Sequence, residues 1–298
     1  MSAQESLLSS EMVARLSRLS LVARKLPRAR LRGLRTLRSR GAGIEAIDLR
    51  AYTSGDDPRR IAWHAYARLE RLLVRVMASE APLRMALILD TSASMGFGRP
   101  SKLLQGSRVA AGLAAVALGQ EDRIALITTS SESKGVLRAT GGAGAMGRLL
   151  TALDSLEAAG ETHLASAAPA ATAALGGRGL CVLLSDLLDA AGVESAVGAL
   201  RAQGHEVALI EVLTPFEIEP PPLDGYVLED EESGELLELP AHGVVRRYKE
   251  ALARHRAAVR DVARKAGASV LSVSTSESFD DVMMRAIDTG FVRAGGIR

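Results

Sequence analysis

The sequence predicts an α/β protein with a doubly wound, mostly parallel β-sheet, preceded by an N-terminal helical and extended segment and carrying an inserted β-hairpin. Three observations support this prediction. From Leu83 onward, apolar runs of strand length alternate with helical stretches. The strand-length runs are apolar at consecutive positions, which is typical of parallel strands buried on both faces. Hydrophobic residues make up 47% of the 298 residues but only nine are aromatic, so we expect a core of aliphatic side chains and alanine.

The predicted strands and helices follow one another in order after residue 83. Six apolar runs are predicted as strands: Leu83–Leu89, Arg123–Thr128, Val136–Ala139 as a short edge strand, Leu180–Leu184, Glu206–Leu213 and Ser269–Val273. Six longer segments are predicted as helices: Arg108–Leu118, Met146–Leu156, Leu164–Leu175, Val193–Ala202, Val244–Lys265 and Asp280–Ile287.

The segment from Pro215 to Pro240 departs from this alternation. It contains a proline triplet at 220–222, followed by two short runs, Tyr226–Leu228 and Glu235–Leu239, on either side of Ser233–Gly234. Two short runs around a serine-glycine turn predict an acidic β-hairpin inserted between a strand and the next helix.

Charge is distributed unevenly along the chain. The whole chain has 37 basic and 35 acidic side chains, and residues 1–80 hold 16 of the basic and eight of the acidic ones. Residues 81–298 therefore hold 21 basic and 27 acidic side chains. We therefore predict an arginine-rich segment over 1–80 and an α/β domain over 81–298. Between Arg15 and Arg40, ten basic residues and no acidic one alternate with leucines. This arm either docks on the α/β domain through its leucines or binds RNA or an anionic surface, and the few aromatic residues disfavour base stacking.

Composition excludes several kinds of protein. The sequence has one cysteine, Cys181, so an internal disulfide and a multi-cysteine metal site are excluded, and a reducing cytoplasm is the expected compartment. The sequence has no run of about 18 uncharged apolar residues, so no membrane span is expected.

Side chains with oxygen atoms cluster after two predicted strands and before one predicted helix. Asp90, Ser92 and Ser94 come directly after the first strand. Asp186 follows the fourth strand, and Thr162 lies at a helix entrance. Because ligands collect beyond the carboxyl ends of parallel strands, we expect these three segments to converge on one edge of the sheet.

The chemistry of these donors points to a hard metal ion. Carboxylate and hydroxyl oxygens without a thiolate or an obligatory imidazole suit Mg²⁺, with Mn²⁺ as the second possibility, and disfavour zinc. The alternative is that the hydroxyls only cap helices and close turns. His163, next to Thr162, and Asp189, three residues after Asp186, are predicted to contact a partner at the rim of this site.

Catalysis is not expected. A phosphatase of the haloacid dehalogenase type needs a second aspartate two residues after the first, and Ser92 stands there instead. The first strand is not followed by a Gly-x-Gly-x-x-Gly loop, and the chain has no Gly-x-Ser-x-Gly nucleophile elbow. His205, which follows Gly204, is predicted as a solvated cap at the start of a strand.

The oxygen-bearing residues resemble the metal-ion-dependent adhesion site of the von Willebrand factor A fold. The matching residues are Asp90, Ser92 and Ser94 for its Asp-x-Ser-x-Ser motif, Thr162 for its threonine and Asp186 for its second aspartate. The resemblance covers most of the predicted α/β domain. It implies a binding module whose ion keeps one coordination position for an acidic residue of a partner protein.

A second resemblance lies upstream of the sheet. This segment is similar to the signature of the domain-of-unknown-function 58 family, and the matching residues are Arg50, Tyr52, Asp56, Arg60, Trp63 and Arg68. Ala62 stands where that family usually has aspartate. The resemblance implies an adaptor or co-chaperone that works with a MoxR-type AAA+ ATPase, or with its client, in assembling protein complexes.

The charges of this upstream segment also have a structural interpretation. Arginines such as Arg50 and Arg60 lie close in sequence to Asp56, so a network of charge-assisted hydrogen bonds would bind this segment to the α/β domain as a structural brace. The alternative is that these charges form a ligand site. Trp63 is predicted to be the buried apolar anchor of the brace.

Overall fold

A computed structural model describes residues 11–17, 48–53, 61–76, 82–131, 133–223, 225, 227–229, 235–238 and 243–288. Contacts divide the chain into two compact units, one formed by residues 1–35 with 83–298 and the other by residues 36–82. Of the basic arm predicted between Arg15 and Arg40, residues 18–40 lie outside the described ranges, as do Asp56 and Arg60 of the upstream signature.

The described residues form the following elements. In chain order the strands are β1 Asp48–Ala51, β2 Leu73–Val76, β3 Arg84–Asp90, β4 Arg123–Thr129, β5 Ser133–Thr140, β6 Leu180–Ser185, β7 Glu206–Leu213, β8 Val227–Glu229, β9 Leu236–Glu238 and β10 Ser269–Ser274. The helices are α1 over 11–17, α2 Trp63–Leu69, α3 Lys102–Gly119, α4 Ala145–Asp154, α5 Ala167–Leu175, α6 Ala190–Ala202, α7 Pro215–Ile218, α8 Val244–Ala266 and α9 Phe279–Asp288. Within the described ranges, no helix is long and apolar enough to cross a bilayer.

The larger unit is a three-layer α/β fold. Its six-stranded sheet has the order β10-β7-β6-β3-β4-β5, and neighbouring strands are parallel except for the antiparallel pair β4 and β5. Successive residues of β3 enter different cores: Leu87 and Leu89 pack with α3, α4 and α9, whereas Ala86 and Ile88 pack with α5, α6 and α8. The prediction of a doubly wound, mostly parallel sheet is confirmed.

Two helices extend the predicted core toward the N-terminal side. Helix α3 begins at Lys102, six residues before the predicted start, because the Ser101 side chain caps it by accepting a hydrogen bond from Leu104 N at 3.2 Å. Helix α1 places Met12 and Leu16 in the core shared by α3 and α9. The amphipathic part of the N-terminal segment that is described therefore docks through apolar side chains.

The inserted hairpin is confirmed with small shifts at its ends. Strands β8 and β9 pair antiparallel, with Val227 opposite Glu238 and Glu229 opposite Leu236. Three of the leucine and valine side chains in these strands are more than half exposed, so the hairpin presents apolar groups to solvent.

Cys181 lies in the middle of the sheet. It stands on β6 between Ala86 of β3 and Val207 of β7, and its side chain is fully buried. Burial raises the pKa of the Cys181 thiol to about 12. The thiol is therefore neutral and inaccessible in the folded protein.

The prediction that His205 is a solvated cap is wrong. Its side chain is buried, with Nδ1 accepting a hydrogen bond from Gly179 N at 3.3 Å and Nε2 lying 2.8 Å from Thr172 Oγ1. Burial lowers the pKa of this imidazole. Because the loop before β6 closes over the start of β7, the ring is enclosed between the two segments rather than turned to solvent.

The smaller unit pairs β1 and β2 antiparallel and adds helix α2. Ile61 forms an isolated bridge with Val74, and these two side chains and Ala62 are buried. Tyr52, from the upstream signature, is half-buried and its amide donates to Leu72 O at 2.9 Å, whereas Arg68 is exposed. The buried side chains in the described part of this unit are therefore few and aliphatic.

The prediction that Trp63 is a buried anchor is wrong. The indole is 58% exposed and meets Tyr66 edge-on, with ring centroids 6.3 Å apart. Trp63 stands at the first turn of the seven-residue helix α2, which has no buried side chain. A short helix on a two-stranded sheet offers too little surface to cover an indole.

Trp63→Ala is therefore expected to change the free energy of unfolding by less than about 1 kcal/mol, well below the roughly 3–5 kcal/mol of a buried aromatic. Thermal melts followed by circular dichroism measure this. Ile61→Ala in the same unit is the contrast, since it removes a buried side chain and is expected to cost about 2 kcal/mol. A larger loss for Trp63→Ala than for Ile61→Ala would contradict the exposed position of the indole.

Candidate metal centre

The candidate site lies at the carboxyl edge of the sheet, in the loop that follows β3. Asp90 is the last residue of the strand, and the chain then turns into a short 3₁₀ helix, Ala93–Gly96. The Met95 side chain is fully buried in the core, so it fixes this loop against the sheet. The buried Met95 therefore anchors the loop that carries the hydroxyls of Ser92 and Ser94.

Asp90 is a buried carboxylate held by neutral donors. Its Oδ1 accepts from Ser92 N at 3.0 Å and its Oδ2 accepts from Ser185 Oγ at 2.7 Å. Burial raises the pKa of Asp90 to about 6, and the nearby charge of Asp186 adds to this, although the hydrogen bonds from Ser185 and Ser92 oppose it. Among the described residues, no basic side chain forms an ion pair with Asp90.

Hydroxyl groups link the first loop to the second aspartate. Ser92 Oγ lies 3.2 Å from Ser94 Oγ, and Ser94 Oγ donates to Asp186 Oδ2 at 2.9 Å. Asp186 itself is 3% exposed, and its Oδ1 accepts from Leu188 N at 3.3 Å. The structure thus brings together four of the predicted ligands, with Asp90, Ser92 and Ser94 contributed by the end of β3 and its loop and Asp186 by the end of β6.

The loop that carries Thr162 is hydrogen-bonded to the first loop. Ala159 N donates to Thr91 O and Ala93 N donates to Gly160 O, both at 2.8 Å. Thr162 follows two residues later and is half-buried. Two backbone bonds therefore hold the threonine segment beside the serine-bearing loop, as predicted from the order of the motif.

The two residues predicted at the rim have local structural roles. Asp189 is exposed and caps α6, accepting from Gly192 N at 2.9 Å. His163 is exposed and precedes the 3₁₀ turn Leu164–Ser166, and its carbonyl oxygen accepts from Ser166 Oγ at 2.8 Å. Contact of either residue with a partner stays a prediction.

Two residues that the sequence analysis did not single out stand next to the second aspartate. Lys102, at the start of α3, places Nζ 2.7 Å from Asp186 Oδ2 and 2.7 Å from Glu217 Oε1. Burial acts to lower the pKa of Lys102, but the charges of Asp186 and Glu217 outweigh it and raise that pKa above its usual value. The ammonium is therefore charged. The helix predicted from the sequence begins at Arg108, so Lys102 was not predicted to belong to it.

A helix-start pattern in the sequence could have predicted the position of Glu217. Thr214 and Glu217 form a capping box, in which Glu217 N donates to Thr214 Oγ1 at 3.2 Å and Thr214 N donates to Glu217 Oε2 at 2.7 Å. A threonine followed three residues later by glutamate after a strand is a known helix-start pattern. It would have placed a carboxylate at the same edge of the sheet as Asp90.

The residues present fit a divalent cation. Asp90, Asp186 and Glu217 against Lys102 leave two negative charges, which is the charge that Mg²⁺ would neutralise. Thr129, in register with Asp90 on β4, has a buried hydroxyl oxygen with no hydrogen-bond partner. In the described part of the chain, no three His, Cys, Asp or Glu residues are grouped to hold a metal, so an ion at this edge would need hydroxyl as well as carboxylate ligands.

Gly160→Ala is expected to disturb this centre. Gly160 has φ of +82°, and an added Cβ would come 2.6 Å from Ser131 Oγ. We expect a loss of about 1–3 kcal/mol in the free energy of unfolding and weaker Mg²⁺ binding, because alanine is strained at this positive φ and the segment before Thr162 must shift to relieve the contact with Ser131. Gly198→Ala is the control, since its Cβ would meet nothing within 4 Å and a helical alanine is expected to stabilise slightly. If calorimetry gives the same Mg²⁺ affinity for Gly160→Ala as for wild type, the loop that carries Thr162 does not contribute to the metal centre.

A mostly parallel six-stranded sheet with an Asp-x-Ser-x-Ser loop at its carboxyl edge defines a von Willebrand factor A-like α/β domain. The family described as "Protein of unknown function DUF58" matches residues 48–258. This chain belongs to that family, as its upstream signature predicted.

Relatives and solved structures extend the comparison. The chain is 34% identical over 245 residues to "Uncharacterized protein Rv1480" of Mycobacterium tuberculosis. The aligned region covers 80% of this chain and 77% of that protein. The conserved hypothetical protein BatB of Bacteroides thetaiotaomicron is 16% identical, with a TM-score of 0.45 over 70% of this chain and 98% of that one. A von Willebrand factor type A protein of Catenulispora acidiphila is 11% identical, with a TM-score of 0.35 over 72% and 43%.

Proposed function

We propose that this protein is a non-enzymatic, cytoplasmic adaptor that binds a protein partner through a divalent cation. The cation is Mg²⁺, with Mn²⁺ as the alternative, and its ligands are Asp90, Ser92, Ser94, Thr162 and Asp186. The partner is a MoxR-type AAA+ ATPase or the client of such an ATPase. The adaptor supplies the ion, and the partner supplies an acidic side chain to the coordination position left open by the ligands.

The observation that carries the proposal is the buried oxygen cluster at the edge of the sheet. Asp90 is buried with neutral donors only, and the cluster as a whole has two negative charges in excess. Burying a carboxylate without a cation costs desolvation free energy. Binding of a divalent ion beside Asp90 would offset that cost. Hydroxyl ligands leave the ion electrophilic enough to accept a further carboxylate.

The surroundings of the cluster favour a protein over a small molecule. Leu188, Phe216 and Ile218 follow β6 and β7, at the same edge as the aspartates, and they are 46%, 41% and 36% exposed. Phe97, from the loop after β3, meets Phe216 edge-on at 5.8 Å. Exposed apolar side chains beside a charged centre are typical of protein-binding surfaces.

Lys102 is not available as a catalytic base. Lys102 is held as an ammonium between two carboxylates, and the raised pKa of this group removes it as a base or nucleophile.

The choice of a MoxR-type partner is supported by the upstream signature and by family membership.

Direct binding tests the proposal. We would measure the affinity of the purified chain for a nucleotide-free MoxR-type ATPase of the same genome, with Mg²⁺ and with chelator, for wild type, Asp90→Ala and the control Glu250→Ala. Glu250 is an exposed carboxylate on α8. We expect binding with Mg²⁺ for wild type and Glu250→Ala, and loss of at least about tenfold for Asp90→Ala or in chelator. Equal affinity in all conditions, or no binding in any, would overturn the proposed partner interaction.

A further inference from the structure

Lys102 is among the largest fully buried side chains of the described residues, and it is charged. It is 1% exposed, and Nζ contacts two carboxylates at 2.7 Å each, Asp186 on one side and Glu217 on the other. Buried lysines are rare unless they are paired. This one is paired twice, at the edge of the sheet that carries the candidate metal ligands.

The two aspartates of the centre differ in their surroundings. Asp186 Oδ2 accepts hydrogen bonds from both the Lys102 ammonium and Ser94 Oγ. Asp90 accepts hydrogen bonds from an amide and a hydroxyl, both neutral. The protein has thus placed its own cation on one ligand of the pair and none on the other.

Lys102 also joins segments that are distant in sequence. Its contacts connect the start of α3 to the end of β6 and to α7. Glu217 is fixed on its other oxygen by Thr214, and Tyr248 of α8 donates its hydroxyl to Glu217 O at 2.8 Å. The ammonium is therefore at the centre of a network that holds three loops of this edge together.

We propose that Lys102 is a permanent internal counter-ion of the metal centre. Its ammonium keeps Asp186 and Glu217 assembled when no metal is bound, and it lowers the affinity for divalent cations because the ion must share Asp186 with it. The inference rests on the metal centre of the proposed function. It adds that the chain's own lysine keeps the metal weakly bound until the partner's carboxylate joins the ion.

Metal titration without any partner tests this role. Isothermal titration calorimetry with MgCl₂ and MnCl₂ would compare wild type, Lys102→Met and the control Lys265→Met, which removes an exposed lysine at the end of α8. We expect Lys102→Met to bind both ions at least about tenfold more tightly than wild type, because a positive charge within a few ångströms of the ion is removed. Lys265→Met is expected to match wild type.

A second variant guards against loss of folding. Lys102→Met leaves two buried carboxylates without a cation, whereas Lys102→Met with Glu217→Gln removes one charge of each sign and is expected to fold. This double variant is also expected to bind Mg²⁺ at least about fivefold more tightly than wild type. Affinity equal to or weaker than that of wild type in the folded variant, including no binding in either protein, would overturn the inference.

The result is separable from the partner experiment. Tighter metal binding by the lysine variant without any partner binding by wild type upholds the counter-ion and removes the adaptor function. Metal-dependent partner binding by wild type, together with unchanged metal affinity in the lysine variant, upholds the adaptor function and overturns the counter-ion role of Lys102.

Discussion

Asp90→Asn is expected to stabilise the metal-free protein at pH 8 and to abolish its stabilisation by Mg²⁺. Asparagine has nearly the same shape, accepts from Ser92 N through its oxygen, and donates through its amide to Ser185 Oγ, which already accepts from Leu187 N. It carries no charge, so the cost of burying a carboxylate without a cation disappears. The same change removes a charged ligand from the metal centre.

The pKa of Asp90 fixes the sign and the pH window of this effect. In the folded protein that pKa is about 6, above the ordinary 3.8, so the folded state holds the proton more tightly than the unfolded state. The contribution of Asp90 to stability is therefore full below pH 3.8 and is lost as the pH rises through 6. A pKa shift of this size corresponds to at most about 3 kcal/mol. We therefore expect the free energy of unfolding of Asp90→Asn to exceed that of wild type by about 1–3 kcal/mol at pH 8, and the difference to shrink toward pH 4.

Urea unfolding in chelator and in Mg²⁺ measures both effects. At Mg²⁺ about a hundredfold above Kd, wild type gains about 2.7 kcal/mol and Asp90→Asn is expected to gain almost nothing. Asp189→Asn is the control, because asparagine caps a helix as well as aspartate does. A metal-free Asp90→Asn protein less stable than wild type at pH 8 would show that the carboxylate has a favourable partner.

Asp186→Ala is expected to lower the free energy of unfolding by about 3 kcal/mol. It takes one of two carboxylates from an ammonium that is almost completely buried, and it removes the acceptor of Ser94 Oγ. Breaking a buried ion pair costs roughly 3–5 kcal/mol, and the remaining contact with Glu217 places the loss at the lower end of that range. Metal binding is expected to be lost as well.

A matched aspartate lies three residues along the chain. Asp189→Ala removes an exposed carboxylate that caps α6, and it is expected to cost only about 1 kcal/mol and to leave metal binding intact. Denaturant unfolding of both variants gives the comparison. Equal losses for the two substitutions would mean that Lys102 does not depend on Asp186.

Much of the fold and part of the site follow from local patterns. The consecutive apolar residues of β3 and β6 mark strands buried on both faces, and the parallel arrangement places the residues after them at one edge. Asp90 and Asp186 are therefore neighbours for a reason that the sequence contains. The contact of Ser94 with Asp186 follows from the same topology.

Other features depend on tertiary contacts that no local pattern encodes. Lys102 is hydrophilic in isolation, and its burial depends on two carboxylates that lie 84 and 115 residues away. His205 is enclosed by Gly179 and Thr172, which precede it by 26 and 33 residues. Trp63 was assigned to a core by its size, but the indole is 58% exposed, and the buried side chains among the described residues of its unit are small and aliphatic.

The buried thiol of Cys181 gives the protein a native probe of its own opening. It is the only cysteine in the sequence, it lies in the middle of the sheet, and five residues further on the chain reaches Asp186. An alkylating reagent reaches it only when β6 separates from its neighbours, so the rate of labelling reports the free energy of opening this part of the sheet. Comparing that rate with and without Mg²⁺ gives the energetic coupling between ion binding and the integrity of the central strands, with no engineered label.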